Sequence, residues 1–345
     1  QIKDRLSRSV ALNTNATISG ETPVLGFIGG GNYASRILIP AFRSTGASLH
    51  SLVTANGINS VIHGKKEGFL HASTDVESIM NNPEIDTLVI ATRHHLNPQY
   101  VVDGLKANKN IWVEKPLALD FENLSLIEDT YNTFNKKTDS SQGLQLMVGF
   151  NRRYSPQVLQ MQRLLSNVEA PKSIVMTINA GFIPQDHWTQ DSKEGGGRII
   201  GECCHFIDLM RFLIGKKIIS VSARAMESTF SNTIMSDTSS ITLGFEDGSF
   251  GSILYLANGP SSFPKERIEV FTDGKALQLN NFRKLQGYGW TNFKKFNLWK
   301  QDKGQTACPK AFIESVKSGS PCIPVHEIFE VARITIEANN LLQKQ

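Results

Sequence analysis

The chain has no run of about 18 apolar residues, so nothing in it reads as a membrane-spanning helix. Its opening, QIKDRLSRSVALNTNATISG, lacks the apolar centre of a signal peptide. It also lacks a basic tract or an aromatic-basic stripe. With 36 basic against 32 acidic side chains the formal charge is only +4, which argues against a nucleic-acid partner. Cysteine is scarce: four residues, at 203, 204, 308 and 322, show no CxxC spacing and exclude a disulfide scaffold, favouring a reducing, cytoplasmic setting. There is no internal repeat and no low-complexity segment. Position 1 is Gln1 rather than methionine, so the expectation is a chain processed or cut from a longer polypeptide, with the polar residues 1–22 as a tail or interdomain linker.

What is present is ordinary globular material: 345 residues, 40% hydrophobic, enough for two cores rather than one. From Pro23 short apolar runs alternate with helical periods, the pattern of βαβ units around a parallel sheet. Strands are expected at VLGFI (24–28), LHSLV (49–53), GFLHA (68–72), DTLVIA (86–91), NIWV (110–113) and LMVGF (146–150). Between the first two, Ala34, Ile37, Leu38, Ala41 and Phe42 share one helix face, and Pro40 should kink that helix. Further helices are expected over 98–108 and 121–134. After Asn151 the texture becomes alternating β: SIVMTINA (173–180), IISVSARAME (218–227), SSITLGFE (239–246), FGSILYLAN (250–258) and RIEVFTD (267–273), with Asp-Gly turns in FEDGSF and FTDGKA. The last segment, HEIFEVARITIEANNLLQ, has helical periodicity and is expected to pack back on the core. The fold class is therefore α/β: a doubly wound parallel Rossmann sheet over 23–145, then an α+β domain over 146–345 with a large, mostly antiparallel open sheet.

GFIGGGNYA sets Gly29, Gly31 and Ala34 in a GxGxxA arrangement between a strand and a helix. Gly29 allows the tight turn, Gly31 lets backbone N–H groups approach a pyrophosphate, and Ala34 permits close helix packing, so a nicotinamide or similar dinucleotide is expected here. At the end of the second strand, where an acidic residue would take the ribose hydroxyls of NAD, the chain reads Thr54, Ala55 and Asn56. No carboxylate repels a 2′-phosphate and no adjacent arginine holds one, which leaves NAD and NADP both open.

IWVEKPLAL brings Glu114, Lys115 and Pro116 to the carboxyl edge of the sheet, where open α/β folds bind ligands. In GECCHFID, a helix over 199–212 would align Glu202, His205 and Asp208 three residues apart in one polar column, leaving Cys203 and Cys204 pointing elsewhere. Adjacent cysteines on one helix make poor joint zinc ligands and nothing nearby completes a set, so no metal is expected.

In order, GFIGGGNYA, ATRHH (91–95), EKP, GFNRRYSP (149–156) and GGGRIIGECCHFIDL (195–209) resemble the Gfo/Idh/MocA family, which includes glucose-fructose oxidoreductase and inositol 2-dehydrogenase. The resemblance runs from about Pro23 to the C-terminal helix. It implies a nicotinamide-dependent oxidoreductase acting on a hydroxyl of a sugar, cyclitol or nucleotide sugar, and a homo-oligomer formed through the open sheet. It places Asn32, Tyr33, Thr54, Ala91, Thr92, His95, Glu114 and Lys115 with the glycine loop around the cofactor. It also makes Lys115 and His205 the catalytic pair over the nicotinamide, His205 as base and Lys115 as hydrogen-bond donor to the reacting oxygen, with Asp208 orienting the imidazole. Arg93, Arg152, Arg153, Trp188 and Glu202 are substrate-side candidates; the arginines lean toward an anionic substrate, and Trp188 suits stacking on a sugar ring as well as plugging the domain interface. NAGFIPQDHWTQDSKEGGGRIIGE is similar to a subgroup in which this domain follows a zinc-type alcohol dehydrogenase domain. One departure stands out: many members carry an aspartate four residues before the histidine, and here that position is Gly201. The alternative it keeps open is a noncatalytic dinucleotide-binding regulator or an accessory domain, since the family also includes repressors that bind dinucleotide without turnover.

Overall fold

A computed structural model describes residues 8–13, 22–135, 143–227 and 234–345. The chain forms two compact units, Gln1–Gly149 with Gln305–Ile328, and Phe150–Gly304 with Phe329–Gln345. It therefore passes between units three times, where a single division near residue 145 was expected. No described helix is long and apolar enough to cross a membrane.

The first unit is built on a seven-stranded sheet of Ser9–Ala11 (β1), Val24–Ile28 (β2), Ser48–Val53 (β3), His71–Ser73 (β4), Thr87–Ile90 (β5), Asn110–Val113 (β6) and Leu146–Val148 (β7), in the order β1-β4-β3-β2-β5-β6-β7. All pairings are parallel except that of β1 with β4. Every residue of β2 and β5 is buried, as strands covered by helices on both faces must be. The order reverses between β2 and β5, and their carboxyl ends frame the crevice where such sheets bind ligands.

Of the 22 residues expected as a tail, 1–7 and 14–21 lie outside the described residues, but Ser9–Ala11 is no tail: it adds an antiparallel edge strand to the sheet. The expected kink at Pro40 is a different device. Ala34–Leu38 forms a wide π turn in which the Ile39 N–H reaches back to Ala34 O, and Pro40 follows it in the first turn of the continuing helix Ile39–Arg43. Phe42 from that helix packs edge-on against Phe27 (5.5 Å) and Trp112 (5.1 Å). Phe312, from the unanticipated helix Ala307–Ser318, meets Trp112 at 5.5 Å and so ties the returning segment to this core.

The second unit carries eight strands: Ser173–Asn179 (β8), Ile218–Glu227 (β9), Ile234–Phe245 (β10), Phe250–Leu256 (β11), Glu266–Thr272 (β12), Lys275–Asn280 (β13), Lys284–Tyr288 (β14) and Lys295–Asn297 (β15). Their order is β15-β14-β13-β12-β8-β11-β10-β9, antiparallel throughout except β8 with β11. Ile174, Met176 and Ile178 of β8 are buried while Val175 between them is exposed, so one face is core and the other open. The helix Cys204–Ile214 is buried at ten of its eleven positions, which places His205, Asp208 and Arg211 inside the unit. It lies close enough to β11 that a Cβ at Gly251 would come within 2.5 Å of the Met210 sulfur.

Candidate active site

In the first unit the loop after β2 meets the demands of a dinucleotide turn. Gly29 has φ 104°, its N–H donates to Val53 O at 2.8 Å, and a Cβ there would lie 2.1 Å from Ala91 O, so only glycine fits. A Cβ at Gly31 would meet nothing within 4 Å: the loop's outer side is open, as approach of a pyrophosphate requires. Ala34 is buried beneath, and Asn32 and Tyr33 are exposed beside it. These residues fit a bound dinucleotide. Thr54 is buried, with its N–H on Ser73 O (3.1 Å) and its hydroxyl donating to Asn56 O (2.5 Å), so its side chain is already committed to backbone.

The turn after β6 is tied to the segment after β5 by a residue the sequence reading passed over. Asn97 is fully buried; its Nδ2 donates to both Glu114 O (3.0 Å) and Pro116 O (2.9 Å), and its Oδ1 accepts from the Thr92 hydroxyl (2.9 Å). One amide thus fixes the backbone on either side of Lys115, whose peptide bond to Pro116 is cis. His95, expected against the cofactor, is exposed in the short turn His94–Leu96, as is Arg93 just before it, while His94 and Asn97 are buried. The signal for Asn97 lay in the sequence as a polar residue just before Pro98 at a helix start. Glu114 is buried against Gly149, where a Cβ would lie 2.7 Å from its Oε1. Burial pushes its carboxyl up to about 7, against the Lys115 ammonium, which favours the charged form.

In the second unit the expected polar column is divided. Ile199–Cys203 is a π turn rather than a regular helix, and the α-helix proper begins at Cys204. The wide turn changes the phase of residues before it relative to those after it, and Glu202 faces other partners than His205 and Asp208 do. Its carboxylate accepts from Lys265 Nζ (2.8 Å), the Tyr255 hydroxyl (2.7 Å) and Arg198 Nη2 (3.0 Å). Burial works to raise its pKa, but the Lys265 charge and these hydrogen bonds prevail and hold it well below the usual carboxylate range. Glu202 is a fixed anion. Arg198, Tyr255 and Lys265 were not anticipated: each is distant from the motif in sequence or reads as an ordinary charge. His205 is buried with its ring 6.1 Å from that of Phe150. Burial also pushes the Cys203 thiol up, away from thiolate chemistry. Among the described residues no group of three or more His, Cys, Asp or Glu side chains could hold a metal ion.

Asp208 is held by Arg153, whose Nε lies 2.8 Å from Oδ1 and whose Nη2 lies 2.7 Å from it, both side chains being buried. Arg152 is likewise buried on Glu266 (2.7 Å), which Lys303 also contacts at 3.1 Å. The guanidinium groups of Arg152 and Arg153 are thus compensated by buried carboxylates within the unit. Trp188 is half-buried in the loop after β8, 6.0 Å from the His187 ring, and the loop closes on itself through Gly195, whose Cβ would meet Trp188 O at 2.5 Å.

The family description "Oxidoreductase family, NAD-binding Rossmann fold" matches residues 24–142, and that of the "GFO/IDH/MocA C-terminal domain" matches residues 168–277. Myo-inositol 2-dehydrogenase of Thermotoga maritima is 25% identical over 268 residues, 74% of this chain and 77% of that protein. The scyllo-inositol 2-dehydrogenase (NAD(+)) of Bacillus subtilis is 27% identical over 208 residues, 59% of this chain and 57% of its own length. Among solved structures, levoglucosan dehydrogenase in complex with NADH and levoglucosan superposes with a TM-score of 0.79 at 20% identity, covering 93% of this chain and 97% of that one, a likeness of fold. With both units matched, the chain belongs to the Gfo/Idh/MocA oxidoreductase family.

Proposed function

We propose that the protein is a nicotinamide-dependent oxidoreductase that moves hydride between NAD(P) and a hydroxyl or keto carbon of a sugar, cyclitol or nucleotide sugar. The observation that carries this reading is the loop after β2, in which Gly29 is pressed against Ala91 O and Gly31 opens outward, in a chain whose two units both match one oxidoreductase family. The relatives named as inositol 2-dehydrogenases support the substrate class.

When bound, the nicotinamide supplies the hydride acceptor or donor. The chain's own residues handle the proton and the charge. A carbinol that loses hydride must also lose its hydroxyl proton; His205 is the proposed base, and imidazole is the side chain suited to that exchange near neutral pH. Lys115, held in place through Asn97, is proposed to donate a hydrogen bond to the reacting oxygen. Asp208, itself fixed by Arg153, is proposed to orient the imidazole. The open face of the second sheet exposes Ile219 (64%), Phe250 (55%) and Phe271 (47%), which supports a homo-oligomer through this face.

The test is dinucleotide reduction by the full chain against a panel of inositols, anhydro sugars and nucleotide sugars, repeated with Lys115→Ala and His205→Ala. Turnover should fall about 10²–10⁴-fold in the histidine variant with dinucleotide affinity nearly unchanged. Dinucleotide binding without any substrate-dependent turnover would favour the regulator, and wild-type turnover in both variants would remove these two residues from the chemistry.

A further inference from the structure

We infer that Arg8, carried by the N-terminal edge strand, is the cation that recognises the 2′-phosphate of NADP, and that the protein prefers NADP over NAD. The inference rests on the dinucleotide reading above and concerns the end of β3, where the sequence shows neither an acidic residue nor an adjacent arginine. Topology supplies what adjacency does not. β1 runs antiparallel to β4 with Ser9 opposite Ser73, so the residue just before β1 stands at the carboxyl edge of the sheet beside Thr74. Its backbone is fixed there: Arg8 O accepts from the Thr74 N–H and from the Ser73 hydroxyl, each at 2.9 Å, and further along the strand the Leu12 N–H donates to Leu70 O at 2.7 Å. The side chain of Arg8 is exposed and lines a depression of about 500 Å³ together with Asn56, Gly57 and Thr74 and the apolar Val10, Ile58 and Ile62.

Asn56 stands two residues beyond Thr54, at the strand end where folds of this topology hold the ribose of a dinucleotide. Its Oδ1 is used on the Ile58 N–H (3.0 Å), so what it can offer a ligand is its amide donors. Among the described residues no carboxylate lines the depression. The nearest acid in sequence, Asp75, accepts the Glu77 N–H at 3.1 Å. A ribose carrying only hydroxyls finds no carboxylate acceptor here, whereas a phosphate finds a planar guanidinium able to bind it through two N–H groups.

The test is a fluorescence titration of the full chain with NADPH and with NADH, for the wild type, Arg8→Ala and Arg8→Glu, with 2′,5′-ADP as a competitor that carries the phosphate without the nicotinamide. Because the anchoring bonds use the Arg8 carbonyl, both variants should keep β1 in place. The wild type should bind NADPH more tightly than NADH. Arg8→Ala should lose about tenfold or more in affinity for NADPH and 2′,5′-ADP with NADH unchanged, and Arg8→Glu should reverse the preference. Tighter NADH binding by the wild type, or equal losses for both dinucleotides in Arg8→Ala, overturns the assignment of Arg8. Failure of the wild type to bind either dinucleotide overturns the dinucleotide reading itself, and the assignment with it.

Discussion

Replacing Glu114 by glutamine should change how stability depends on pH. The side chain is buried beside Gly149, and its Oε1 has no hydrogen-bond partner among the described residues. Burial raises its carboxyl from 4.5 to about 7, with the Lys115 charge opposing. Across that window the folded protein holds a proton that the unfolded chain has released, so unfolding releases a proton and stability falls as pH rises, levelling off above about 7. At about 1.4 kcal/mol for each pH unit, the full rise corresponds to about 3 kcal/mol. Glutamine has the same shape and no charge to bury. Its amide leaves a polar group unsatisfied in the same place, a penalty of about 1–3 kcal/mol that does not vary with pH, so the slope and not the offset carries the information. Urea denaturation of wild type and Glu114→Gln at a series of pH values should give curves that diverge from 4.5 to about 7, the wild type losing about 3 kcal/mol more than the variant. Parallel curves through that window would refute the burial argument and mean that the Lys115 charge and the hydrogen bonds from Trp112 and the Lys115 backbone outweigh burial.

Asn97→Ala removes the donor to two buried carbonyls and should cost about 2–4 kcal/mol in a urea melt, with turnover falling further than dinucleotide affinity because the backbone around Lys115 loses its clamp. Glu202→Gln leaves Lys265 and Arg198 uncompensated and should cost about 2 kcal/mol at neutral pH, the figure being moderated by the exposure of Lys265. Because the Glu202 carboxyl is held below its ordinary range, its contribution is present above about 4.5 and lost as pH falls through its folded value, so the wild type should show the steeper acid denaturation of the two.

Where a local pattern determines local structure, the sequence was legible. The strand-glycine-helix passage from Val24 to Phe42 could be read because burial on both faces of β2 and the close approach at Gly29 leave few residue types possible. β14 and β15 were missed. KLQGY and KFN are short and carry lysines and a glycine, so they gain their strand character from pairing on β13 and on one another rather than from alternation. The helix Ala307–Ser318 escaped notice because Pro309 sits in its first turn, where proline is tolerated but reads as a breaker in a loop. Arg8 stood in plain view at the start of a polar segment, and only the antiparallel pairing with β4 brings it to the carboxyl edge of the sheet, one strand from β3.

The column of Glu202, His205 and Asp208 failed for a related reason. Spacing of three residues aligns side chains only when the backbone repeats at 3.6 residues per turn, and the π turn Ile199–Cys203 breaks that repeat just before the histidine. The Cys204 N–H reaches back five residues to Ile199 O, and the phase lost there turns Glu202 toward Tyr255 and Lys265 while Asp208 meets Arg153. Glu202 is therefore not placed to stand in for the aspartate that the family resemblance would set at Gly201. A carboxylate clasped by two cations and a phenol has no reason to take up a proton in the pH range where enzymes work, so it cannot share in general acid-base exchange. The half-buried Glu202 carboxylate gathers Arg198 from the turn before the helix, Tyr255 from β11 and Lys265 from the segment before β12, while Arg198 also bonds Ala180 O, so one anion joins separate parts of the unit just ahead of His205.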